Sequence, residues 1–182
     1  AGKSTFINSL TGKNICRSQN MACTSKIHMI INKAYEDGYS YEYDHDLVMT
    51  AGSEELLNDN ELNKTDMIYV GTAFDGYMEK QRIIINDSPG VNYSENSEHR
   101  DITRKLINSG KYDLLVYIMN ATQLGTDDDA EHIDYVKRHI GNKSVIFIIN
   151  KIDEFNPEEE NIFNTVKKQI EYIKAHGFEN PI

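Results

Sequence analysis

Three short stretches carry residue types suited to holding a nucleotide. The first, Ala1-Gly2-Lys3-Ser4-Thr5, is the back half of a phosphate-binding loop, G-x-x-x-x-G-K-[S/T]. Gly2 has no Cβ, so its backbone can approach a phosphate closely. Lys3 can reach the β- and γ-phosphates, and Ser4 can offer its hydroxyl to Mg²⁺. The second stretch is Asp87-Ser88-Pro89-Gly90. A carboxylate there can hold Mg²⁺ through water, and Gly90 frees a backbone N–H for a γ-phosphate. The third is Asn150-Lys151-Ile152-Asp153. The Asp153 carboxylate can accept two hydrogen bonds from guanine, which adenine cannot donate. The Lys151 stem can lie along the base, and Asn150 can tie its loop to the phosphate loop.

The elements that must position these residues follow from periodicity. Phe6, Ile7 and Leu10 have helical spacing, which puts the phosphates at a helix N-terminus. Gly12-Lys13-Asn14 stops that helix, and residues 13–25 read as a loop. Residues 26–34 and 39–43 alternate, and Glu36-Asp37-Gly38 between them predicts a β-hairpin with an Asp-Gly turn. Ile27, Met29 and Ile31 share one face of its first strand, and His28 is expected exposed on the other. A helix is expected over 53–63 with Ser53 near its N-cap, then a strand over 67–72 and a loop over 74–79. Ile83-Ile84-Ile85 predicts a strand buried on both faces, over 82–86.

The second half alternates strand and helix. A loop over 91–97 precedes a helix over 97–109 that ends at Gly110. Buried strands are expected over 112–119 and 144–149. Between them, Thr126 caps a helix with Asp129 at its third position, and Ile133, Val136 and Ile140 form the inner stripe. The acidic run 127–129 reads as helix capping before metal binding, and His132 and His139 as flanking a wet face. A last helix over 157–176 opens with Pro157 and has a stripe of Ile162, Phe163, Val166, Ile170 and Ile173. Residues 180–182 look like the start of another strand. The expected fold is a three-layer α/β P-loop NTPase architecture. Its sheet is mostly parallel, with an inserted β-hairpin and helix, and the chain is cut short at both ends. All three stretches then lie at strand ends, where open α/β sheets bind ligands.

Bulk properties fit one domain over residues 1–182, with 39% hydrophobic and 26% charged residues. No apolar run approaches the roughly 20 residues of a membrane span. A net charge of −10 and a pI near 5.0 argue against a nucleic-acid surface and against this domain docking alone on anionic lipid. Cys16 and Cys23 are too few for a disulfide framework and fit a reducing cytoplasm. They read as small side chains in a loop rather than a metal site.

On these motifs the chain resembles the GTPase domain of the dynamin-like proteins, and specifically their bacterial branch. Residues 2–8, Gly-Lys-Ser-Thr-Phe-Ile-Asn, match the family's first motif, and the other two stretches match its switch II and guanine motifs. Cys23-Thr24-Ser25-Lys26-Ile27 is similar to switch I, in which a threonine binds Mg²⁺. Ala22 stands where bacterial members usually have proline, which leaves Ser25 as a rival to Thr24. Lys3 and Asp87 are 84 positions apart, room for an insertion that compact GTPases lack.

The resemblance implies GTP as substrate, Mg²⁺ as cofactor, and Lys3, Ser4, Thr24, Asp87 and Gly90 as the catalytic set. Ser4, Thr24 and Asp87 would serve the metal. Gly2, Lys3, Ser4, Thr5, Asn150, Lys151 and Asp153 would hold the nucleotide. It also implies dimerisation across the nucleotide face, and membrane remodelling or tethering through segments outside these residues. Val91 stands where other GTPases place a water-positioning residue. Dynamin-like proteins carry theirs in the front half of the phosphate loop, so residues 1–182 alone are expected to hydrolyse GTP slowly. The rival readings are a GTPase switch in ribosome assembly or RNA modification, and a nucleotide-binding module without turnover.

Overall fold

The computed structural model describes residues 2–17, 26–76, 79–90, 97–122, 125–154 and 161–179. The chain divides into two compact units, residues 2–90 and 91–182, each with its own apolar core.

In the first unit, helix α1 (Lys3–Thr11) starts after Gly2, whose φ of 97° is left-handed. A side chain there would be strained, so glycine is required to turn the chain into the helix. The strands are β1 (Ile27–Asn32), β2 (Tyr39–Tyr43), β3 (Asp46–Thr50), β4 (Met67–Thr72) and β5 (Ile84–Asp87), with helix α2 (Ser53–Leu62) between β3 and β4. They form one sheet in the order β3-β2-β4-β1-β5. Ile7, Ile30, Tyr41, Leu56 and Val70 are buried in the core that α1 and α2 share with this sheet.

This sheet corrects two expectations. It is mixed rather than mostly parallel: β1 runs parallel to β4, while β1–β5, β2–β3 and β2–β4 are antiparallel. The hairpin also lies elsewhere. β4 separates β1 from β2, and the two-residue hairpin joins β2 to β3 through Asp44 and His45, both with positive φ. That turn has the twist of paired strands, which an Asp can enter without glycine. Gly38 is needed for a different reason. Its φ is 90°, and a Cβ would sit 2.5 Å from the Thr50 carbonyl oxygen.

Burial within the strands also differs. Ile30 is fully buried and Ile31 half exposed, because β1 is apolar at 27, 29, 30 and 31 and alternation could not choose a face. His28 shares the inner face with Ile30 and is half-buried rather than exposed. Ile83 and Ile85 pack on the core while Ile84 is 58% exposed, so β5 is not buried on both faces.

The second unit holds α3 (Ser97–Ser109), β6 (Leu114–Asn120), α4 (Asp127–His139), β7 (Ser144–Asn150) and α5 (Ile162–Ala175). β6 and β7 pair in parallel from Leu114↔Ser144 to Asn120↔Asn150. Leu114 and Val116 are exposed, so β6 is covered on one face only. The Thr126 hydroxyl accepts the Asp129 N–H at 3.3 Å, which caps α4 as expected. Asp129 then turns inward, where its carboxylate accepts the Tyr117 hydroxyl at 3.1 Å. Ile133, Val136 and Ile140 are buried as predicted. His139 is exposed and stacks on Tyr135, while His132 is half-buried, its ring centroid 5.6 Å from that of Tyr117.

The stripe expected on the last helix is mostly outside. Phe163 is 74% exposed, Ile162 and Ile170 are also exposed, and the buried residues of α5 are Gln169 and Ile173. A buried glutamine is invisible to an apolar period; Gln169 Nε2 donates to the Asn120 carbonyl at 3.4 Å. Asn161 caps this helix; Pro157 lies outside the described residues, as do 180–182. Among the described residues, no helix is long and apolar enough to cross a membrane.

Candidate active site

The first unit brings Lys3, Ser4, Asp87 and Gly90 together. Ser4 stands in the first turn of α1, and Asp87 closes β5. The Ser4 hydroxyl donates to Asp87 Oδ2 at 3.0 Å. Asp87 is almost fully enclosed, and its other oxygen, Oδ1, is buried without a hydrogen bond. Burial holds the Asp87 carboxyl above the usual carboxylate range. The Lys3 ammonium, the Ser4 hydrogen bond and His28 pull the other way. A Cβ built on Gly90 would lie 3.7 Å from Lys3 Nζ, so the Gly90 backbone borders the lysine.

This arrangement suits a hard cation beside an anion. A buried carboxylate oxygen that accepts no hydrogen bond is a costly feature unless something positive fills the place. A serine hydroxyl and a carboxylate are the oxygen donors that Mg²⁺ prefers, and Mg²⁺ usually binds through one or two such groups plus substrate phosphates. The residues present therefore fit the metal. The N-cap of α1 is a glycine with no side-chain acceptor, which leaves the helix end to phosphate oxygens. Gly2 and Thr5 flank Lys3 and Ser4 there, with Thr5 exposed. Thr24 and its rival Ser25 lie outside the described residues.

Two further groups enter this site that periodicity did not point to. Cys16 is buried, and its thiol is pushed up far out of its ordinary range by burial and by the neighbouring Asp87 carboxylate. Burial and a raised pKa both favour the neutral thiol. His28 pairs across the sheet with Asp87, and burial lowers its pKa. The signal for His28 was the β1–β5 pairing, which no local pattern announces.

The guanine stretch belongs to the second unit. β7 ends at Asn150, whose carbonyl accepts the Ala121 N–H at 2.9 Å. Lys151 then adopts a left-handed φ of 66°, unusual for a lysine. Residues that hold such conformations collect at ligand sites, because the surroundings must enforce them. Its ammonium pairs with Glu154 Oε1 at 2.6 Å. A 3-10 turn over Ile152–Glu154 presents Asp153 to solvent. An exposed carboxylate at a strand end is the group a base with two adjacent N–H donors would meet.

Comparison with known proteins bears on the family and the fold. The family model described as "Dynamin family" matches residues 1–152. A similar solved structure is described as "An oligomerised bacterial dynamin pair provides a mechanism for the long range sensing and tethering of membranes". It superposes with a TM-score of 0.62 at 16% identity, a likeness of fold. The match covers 98% of this chain and 29% of that one, so the chain spans under a third of that protein's length. No curated protein matches the sequence.

Proposed function

From the premise that the chain belongs to the Dynamin family, we propose that residues 1–182 are a GTPase domain that binds GTP and hydrolyses it with Mg²⁺. The observation that carries this reading is the Ser4–Asp87 hydrogen bond at 3.0 Å, with Asp87 buried and the Lys3 charge acting on it.

Each residue has a role in phosphoryl transfer that its chemistry supports. Lys3 binds the β- and γ-phosphates and offsets charge as the bond between them breaks. Gly2 and Thr5 lend backbone to the same phosphates at the start of α1. Ser4 and Asp87, with Thr24, are the residues that hold the metal. Bound Mg²⁺ supplies neutralisation of phosphate charge in the transition state. The Thr24 backbone orients the attacking water. Gly90 offers its N–H to the γ-phosphate and withdraws when the phosphate leaves. Asn150, Lys151 and Asp153 select guanine, Asp153 by accepting from N1–H and the 2-amino group.

The base assignment is tested by Asp153→Asn in the full-length protein. Preference should move from GTP to xanthosine triphosphate by about 10⁴-fold, the scale set by unpaired polar groups in a specific site. Unchanged preference would sink it. For the whole protein, family membership supports self-association across the nucleotide face and action at a membrane, at the cytoplasmic side and through segments other than these. Hydrolysis per molecule that rises with protein concentration is the expected result. A flat rate that ribosomes stimulate would instead favour a switch in ribosome assembly, a reading with no observation here in its support.

A further inference from the structure

We propose that Asn8 is a positioning residue for Asp87: its side chain clamps the strap 14–16 so that Cys16 seats against that carboxylate. The inference rests on the reading of Asp87 as the metal-supporting acid.

Asn8 lies on α1, one turn beyond Ser4. Its amide is completely used. Oδ1 accepts the Ile15 N–H at 3.0 Å and the Cys16 N–H at 2.9 Å. Nδ2 donates to the Cys16 carbonyl at 2.7 Å and to Asn14 Oδ1 at 3.0 Å. Two donated and two accepted bonds are all that a carboxamide can make. The side chain therefore does for Cys16 what a neighbouring β-strand would do, bonding both its N–H and its C=O. Among the described residues, positions 12–17 belong to no strand. Without the clamp the strap's backbone groups would be left to find water inside a buried wall.

The consequence reaches Asp87. Ile15 and Cys16 are buried to within 2% of full enclosure, so their position is set by packing. The Cys16 thiol hydrogen-bonds the Asp87 carboxylate. Ser4, on the same helix as Asn8, donates to Asp87 Oδ2. One rigid helix thus fixes Asp87 twice, directly through Ser4 and through the Asn8 strap. Groups that orient a metal-binding carboxylate typically change metal affinity 10–100-fold when removed. A residue that only stabilised the fold would not act selectively on the metal.

The test compares nucleotide affinity with and without metal, using a fluorescent guanosine diphosphate analogue and the full-length protein. Affinity is measured in Mg²⁺ and in EDTA for wild type, Asn8→Ala, Asn8→Asp and Cys16→Ala. Asn8→Asp keeps the two accepted bonds and loses the two donated ones, so it serves if the alanine variant does not fold. The expected result is a loss of about 10-fold in Mg²⁺ and no change in EDTA for the Asn8 variants. The Asn8→Ala, Cys16→Ala pair should fall short of the sum of the two, as residues on one route do. Equal losses in Mg²⁺ and EDTA, or no loss in either, overturn the proposal. Asp87→Ala is the reference. If it removes the Mg²⁺ dependence and the Asn8 variants do not, only this inference fails. If Asp87→Ala itself keeps that dependence, the reading of the site fails.

Discussion

Ser4 and Asp87, 83 positions apart in sequence, are joined by a hydrogen bond of 3.0 Å from the serine hydroxyl to the buried carboxylate. The pair links the start of α1 to the end of β5. It leaves Asp87 Oδ1 buried, with the Cys16 thiol and the Lys3 charge beside the carboxylate.

That buried acid sets a trade between stability and function. Burial raises the Asp87 pKa above its unfolded value. A carboxyl raised in this way is favoured as the neutral form in the fold. Its contribution is therefore most favourable below the unfolded pKa, and is lost as pH rises through the folded one. Asp87→Asn should accordingly raise the Tm of the nucleotide-free protein at pH 7, by about 2–4 °C for each kcal/mol recovered. The advantage should shrink as pH falls through the raised folded pKa and be gone below the unfolded one. Mg²⁺-dependent hydrolysis should drop by about 100-fold or more in the same variant. Thermal melts across pH and a turnover assay check the two halves separately.

Gly90→Ala separates sensing from folding. The added carbon meets Lys3 Nζ at 3.7 Å, an ordinary contact, and Gly90 is not among the glycines of positive φ. The variant should melt within about 2 °C of wild type, corresponding to about 0.5 kcal/mol. GDP affinity should be kept, while hydrolysis falls about 10-fold because the backbone no longer moves freely against the γ-phosphate. Parallel loss of GDP affinity would place Gly90 in general nucleotide binding instead.

Gly38→Ala should destabilise without touching the nucleotide. Its φ of 90° and a Cβ 2.5 Å from the Thr50 carbonyl leave no room that a small shift could restore. A cost of about 2 kcal/mol or more is expected in urea unfolding, the range for strain at a left-handed position with overpacking.

Thr126→Ala removes the acceptor for the Asp129 N–H at the start of α4. Helix caps of this kind are worth about 1 kcal/mol. Urea denaturation should show that loss with an unchanged m-value, and GTP affinity should stay the same. A Thr126→Ser variant should recover most of the stability.

Much of the candidate site was readable because its motifs are local. Gly2, Lys3 and Ser4 must be adjacent to start one helix against a phosphate, and Asn150 to Asp153 must be adjacent to form one turn after a strand. Helices α2, α3 and α4 were readable for the same reason. Their apolar spacing, the Thr126 cap and the stop at Gly110 act within a few residues.

What escaped the sequence involves partners far along the chain. Alternation over residues 26–34 showed that a strand exists, but not that β4 rather than β2 lies beside it, because pairing depends on which distant strand completes the sheet. Gln169 is buried, with a hydrogen bond to Asn120, and Phe163 is exposed, a placement that an apolar period does not encode. His28 and Cys16 entered the wall around Asp87 only once β1 and β5 were paired and the Asn8 strap was folded down. The sequence by itself determined which groups could bind a nucleotide, because that chemistry resides in residue type and short spacing. Tertiary structure alone decided that Asp87 is buried, bonded to Ser4 and bordered by Cys16, because burial and pairing are properties of neighbours that a linear chain does not record.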